Sequence, residues 1–173
     1  MGLSLTVGGA SGTFEARVAR EVASVIDNAF GAEGDWEGVP RHDFGGLTGD
    51  DWRDLQRRAV ETLGTGAAPN LLALGQTARG VYLPAHLNAV TLPLSGGESL
   101  RCASLPGLRE ELNELADAWE LPLDDGGLRG LLIAAADPDE GSLADAPEVT
   151  AFARLALAAN EAVRKDCPLW LLG

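Results

Sequence analysis

The sequence predicts an α+β fold: one domain over residues 1–173, with about five helices packed on a small sheet that is mixed or mostly antiparallel. Three observations predict it. Apolar residues recur at helical spacing in several separate stretches, short apolar runs bounded by Gly and Pro gather mid-chain, and strands and helices do not alternate regularly as in parallel α/β folds. With 46% apolar and 23% charged residues over 173 positions, the chain has enough core-forming side chains for one domain and lies away from disordered compositions.

In order along the chain, Leu3, Leu5 and Val7 alternate with Ser4 and Thr6, the period-2 pattern of a half-buried strand. After a glycine turn, Phe14, Val18, Val22, Val25 and Ile26 share one helical face that runs to about Phe30. Residues 31–49 are glycine-rich and aperiodic, which predicts a long loop holding Trp36 and Phe44. A second helix follows, with Trp52, Leu55, Ala59, Val60 and Leu63 on one side and Gly64 as its stop.

The runs PNLLALG, RGVYLP, HLNAVTLPL and ESLRCAS supply two to four strands. Residues 87–104 read as a β-hairpin in which Pro93 must sit at an edge or a strand end. From Leu105 the pattern turns helical: Leu108, Leu112, Leu115 and Trp119 fall on one face and Pro122 ends the helix. A short helix at about 126–136 and an acidic loop precede a last helix, striped by Val149, Phe152, Ala156, Ala159 and Val163, with Pro147 and Glu148 suited to its first turn. CPLWLLG then reads as a strand returning to the sheet.

Charge is the unusual global feature, 26 acids against 13 Lys and Arg for a formal net charge of −13. Such a field repels phosphate backbones and anionic lipid surfaces, so nucleic acid and membrane are not expected partners. No apolar run approaches the ~20 residues that span a bilayer, and no export signal is read. Cys102 and Cys167 form no CxxC pair. A cytoplasmic, reducing location is therefore expected.

Residues Val7 to Phe14, VGGASGTF, resemble the cofactor turn of the short-chain dehydrogenases, whose fingerprint has the form TGxxxGxG at the first strand-to-helix junction. That resemblance implies a Rossmann fold with a dinucleotide held by Gly8, Gly9, Ser11 and Gly12 at a helix N-terminus. Gly8 and Gly12 match, whereas Val7 stands at the threonine and Phe14 at the third glycine. The family's YxxxK pair has no counterpart, because the single tyrosine, Tyr82, is followed four residues on by His86.

No cofactor or metal site is expected. His42, Asp43 and His86 do not make a ligand spacing, and in the loop Asp137, Asp139, Glu140, Gly141, Asp145 glycine falls fifth rather than sixth as a calcium loop requires. Cys102 with His86 could meet across the hairpin, yet Cys102 sits in an apolar alternation that suits a small buried hydrophobe. No catalytic residue is singled out.

The acids are unevenly spread. Positions 101–150 hold twelve of them against three arginines, a local net of −9. The reading with most support is a non-enzymatic binding protein, an inhibitor or immunity-type protein, that meets a basic protein partner. The contact would be an acidic face of Glu110, Glu111, Glu114 and Asp117, with Trp36 and Phe44 as apolar anchors. The alternative is a nucleotide- or small-molecule-binding enzyme using the Gly8–Gly12 turn. Self-association as a homo-oligomer through an apolar helix face is a third.

Overall fold

In the computed structural model, which describes residues 2–31, 36, 38–75, 79–136 and 146–173, β1 (Gly2–Val7) turns Leu3, Leu5 and Val7 into the core and leaves Ser4 exposed. It leads through Gly8 and Gly9 into one helical turn, α1 (Ala10–Thr13), and then α2 (Ala16–Phe30). Ala19, Val22 and Ile26 of α2 are buried, and the helix stops at Gly31 in the left-handed conformation.

Residues 31–49 are not all loop, as the sequence pattern suggested. His42–Thr48 forms β2, antiparallel to β1, with a register break between Ser4 and Thr6. Only Leu47 of β2 is buried, so this glycine-containing edge strand carries no apolar alternation to read. Thr48 then opens α3 (Gly49–Leu63) with a capping box: its Oγ1 accepts from Asp51 N at 3.0 Å, and Asp51 Oδ2 accepts from Thr48 N at 3.1 Å.

One of the candidate strands is a helix instead. PNLLA forms α4 (Pro69–Ala73), in which Pro69 occupies the first turn, where its missing N–H has no intrahelical partner to lose. The strands of this region are β3 (Arg79–Leu83), β4 (Val90–Pro93) and β5 (Ser99–Ser104). β4 and β5 form the expected hairpin, with Pro93 at the end of an edge strand. Then come α5 (Leu105–Trp119), α6 (Asp125–Ala136), α7 (Pro147–Lys165) and β6 (Leu169–Leu172).

Among the described residues, seven helices thus pack on a six-stranded mixed sheet of order β2-β1-β6-β3-β5-β4, an α+β architecture. β3 and β5 are its parallel pair. β6, the last strand in sequence, lies in the interior, antiparallel to both β1 and β3.

Strand alternation feeds two cores. Tyr82, Ala103, Leu169 and Leu171 join Leu3, Leu5 and Val7 on one face, beneath α3, α4, α5 and α7. Val81, Leu83, Leu100, Cys102 and Trp170 point the other way, beneath α2. Strands clothed on both sides read as continuous apolar runs, which is how RGVYL and LWLL appear in the sequence. α7 is the pivot of the larger layer: Phe152, Leu155, Ala156 and Ala159 are fully buried, and it packs on α3, α5, α6 and β1. No helix among the described residues is long and apolar enough to cross a membrane.

Candidate functional site

α5 begins where Ser104 accepts a hydrogen bond from Gly107 N at 3.0 Å, and it lays Leu105, Leu108, Leu112 and Leu115 into the core. At 3.6 residues per turn, the positions opposite that stripe are Glu110, Glu114 and Asp117, spaced i, i+4, i+7, and all three are exposed. Exposed Glu120 closes the helix in a left-handed conformation. None of these four carboxylates has an ion-pair partner among the described residues.

Glu111 does not belong to that face. It is 5% exposed, and its carboxylate is wholly engaged inside the molecule. Oε1 accepts from Asn70 N and Asn70 Nδ2, both at 2.8 Å, and Oε2 accepts from Leu71 N at 2.7 Å. Asn70 in turn accepts from Ser104 N through Oδ1 at 3.1 Å and from Tyr82 Oη through its carbonyl at 3.2 Å. Burial pushes the Glu111 carboxyl above its ordinary pKa, against the opposing hydrogen bonds from Asn70 and Leu71. This network ties α4, α5, β3 and β5 together, and it depends on Gly107: a Cβ there would lie 2.3 Å from Asn70 Nδ2. Glu111 is a brace and not a partner-contact residue.

The glycine turn is filled by protein. Gly8 and Gly9 are buried, and a Cβ on Gly8, at φ +142°, would meet Arg41 Cα at 3.2 Å. Gly8 N donates to Pro168 O at 3.2 Å, and Trp170 Nε1 donates to Gly8 O at 2.8 Å. Phe14, at the third glycine position of the dehydrogenase pattern, packs edge-on to Trp170 with ring centroids 5.1 Å apart. Ser11 and Gly12 are exposed, but on a helix of four residues. Both neighbours of β1 are antiparallel, so the junction has no adjacent parallel strand with which to form a dinucleotide crevice.

Trp36 and Phe44 are half-buried and pack back on the core, and Phe44 stacks on His42 at 4.4 Å. Phe44 lies in β2, which packs on α3 and α7, whereas α5 packs on α3, α4, α7 and β3. Phe44 and the Glu110–Asp117 face thus sit on elements that share α3 and α7 as neighbours.

Cys102 is buried and its thiol is pushed up to about 12, so it is neutral at physiological pH; His86 is exposed in the β3–β4 connection. No cluster of three His, Cys, Asp or Glu that could hold a metal occurs among the described residues. The acidic loop Asp137 to Asp145, whose glycine spacing departs from a calcium loop, falls outside them.

One feature had no sequence signal. A cavity of about 390 Å³ opens between α5, the turn into α6, and α7, bordered by Arg109, Leu123 and Val163 and by the polar side chains of Asp124, Asp125, Asn160 and Arg164. Nη1 of Arg109 is buried without a hydrogen-bond partner. A buried unsatisfied donor costs about 1–3 kcal/mol, and more when charged. Burial lowers the Arg109 pKa, with the negative charge of Asp125 opposing that shift.

Comparison with known protein families, with curated proteins and with solved structures finds no match for this chain.

Proposed function

We propose that this protein is a non-enzymatic binding protein, of inhibitor or immunity type, whose α5 surface meets a basic protein partner. The observation that carries the reading is the set Glu110, Glu114 and Asp117: three exposed carboxylates on one helix face, none of them paired with a cation. Like charges at i, i+4 cost a helix a few tenths of a kcal/mol, which a cationic partner reverses on docking. The long-range field of such a face speeds encounter with that partner and slows encounter with acidic ones.

The reading is tested by capture from a host lysate on immobilised protein. Wild type is compared with Glu110→Lys/Glu114→Lys/Asp117→Lys and with a control of equal charge change on α3, Asp50→Lys/Asp54→Lys/Glu61→Lys. The expected result is a basic protein retained by wild type and by the α3 control. It should be lost from the α5 variant and released at about 1 M salt, where the screening length falls to about 3 Å. Retention by the α5 variant, or capture indifferent to salt, would show that the acids serve solubility alone.

A further inference from the structure

The cavity beside Arg109 is built from side chains that satisfy one another, with one exception. Asp125 accepts from Asn160 Nδ2 and from Arg164 Nη2, each at 2.8 Å. Asn160 Nδ2 also donates to the carbonyl of Leu123 at 2.9 Å, and Asp124 Oδ2 accepts from Gly127 N at 2.8 Å at the start of α6. Arg109 makes no hydrogen bond and no ion pair with any described residue, and its Nη1 is the only buried side-chain N or O among them without a partner. A guanidinium does not shed its proton at physiological pH, so neutralisation cannot relieve the mismatch. Nη1 is closed off from solvent where it stands, so it meets an acceptor only when the side chain turns, and a planar anion at the cavity wall would suit the Arg109 fork.

The neighbouring charges narrow the choice. Asp124 and Asp125 border the same cavity, so a multiply charged anion such as phosphate is repelled there. A plain amine meets Arg109 and Arg164, and an apolar molecule leaves Arg109 as it is. A group that carries both signs fits: carboxylate toward Arg109, ammonium toward Asp124. Leu123 and Val163, the latter 49% exposed at the rim, offer an apolar wall to a short side chain. The space of about 390 Å³ opens widely to solvent, so it suits a small ligand held at one end.

We propose that this cavity binds a small zwitterionic carboxylate of the free α-amino-acid class, held through its carboxylate by Arg109. Because Nη1 is shut off from solvent, binding includes a rotation of the Arg109 side chain that turns the guanidinium edge toward the cavity. The site is independent of the α5 charge reading, since neither Glu110 nor Glu114 borders it.

The test is thermal shift followed by calorimetric titration of the full chain with the common amino acids, their decarboxylated amines, their N-acetyl derivatives and inorganic phosphate. One or more amino acids should raise Tm in proportion to the logarithm of concentration, while the matching amine and N-acetyl forms do not. Arg109→Met should weaken that ligand by at least about tenfold, the scale of one charge-assisted bond, yet leave the unliganded Tm equal or higher because a buried N–H without an acceptor has gone. Arg109→Lys should bind with intermediate affinity, and Val163→Trp, which fills the rim, should block binding. If Arg109→Met does not fold, the other two variants carry the test. Three results overturn the proposal: no amino acid shifts Tm, phosphate or the N-acetyl acid binds as well, or binding survives Arg109→Met or Val163→Trp.

Discussion

α3 and α5 are helices of the same length whose exposed acids stand in contrasting surroundings. On α3, Asp50 pairs with Arg53, Asp54 with Arg57 at 2.8 Å, and Glu61 with Arg58 at 2.9 Å, while Arg58 also reaches Glu148 of α7 at 3.4 Å. Most of the acids on its solvent face are thus paired with an arginine on the same helix. On α5 the exposed acids have no such partners, and the one acid drawn inward, Glu111, is fastened to Asn70 and Leu71. A count of charges in sequence treats these carboxylates alike. Position on the helix sorts them into neutralised, open and structural.

The sharpest test of that sorting lies within α5. Glu111→Ala strands the N–H groups of Asn70 and Leu71 and should cost about 3 kcal/mol in urea unfolding, whereas Glu110→Ala, one residue away, should stay within about 0.5 kcal/mol. Equal losses would erase the distinction between brace and open face. Gly107→Ala attacks the same brace from the other side by displacing Asn70, and about 1–3 kcal/mol is expected from the steric conflict. Next in size is the association effect: reversing Glu110, Glu114 and Asp117 should slow encounter with a captured basic partner by at least about tenfold at low salt, with the α3 control changing little.

A pH series sharpens the role of Glu111 further. Its folded pKa is raised by burial above the ordinary carboxyl value of about 4.3, so the folded state holds the proton more tightly than the unfolded chain. The stability this group contributes is complete below the ordinary value and is lost as pH rises through the raised one. The difference between wild type and Glu111→Gln should therefore move in favour of wild type as pH falls from neutral toward about 4. A flat difference would mean that the three accepted hydrogen bonds balance burial. The smallest effect belongs to α3, where Arg58→Gln should change stability by about 0–1 kcal/mol and less at high salt.

Most elements were legible because they carry a repeating apolar pattern. The α2 stripe from Val18 to Ile26, the α7 stripe from Val149 to Ala159, the alternation in β1 and the Pro93-bounded hairpin appear where residue type requires them, whereas Phe14 falls before α2 and Val163, the last residue of the expected α7 stripe, is exposed. β2 was not legible, since HDFGGLT buries one side chain and its pairing is fixed by β1 instead of by its own pattern. α4 was misread because five residues are too few for periodicity, although Pro69 at its start was an available signal. The burial of Glu111 was also within reach: it stands three residues after Leu108 and four before Leu115, on the apolar stripe itself. The Arg109 cavity was not, because its walls come from α5, the turn after it and α7, brought together only by packing.

The interior position of β6 has a consequence for truncation. Every strand that β6 joins precedes it in the chain, so without Leu169 to Leu172 the facing sides of β1 and β3 are two unpaired backbone ladders. A chain lacking those four residues would carry two half-sheets able to pair with other chains rather than with each other.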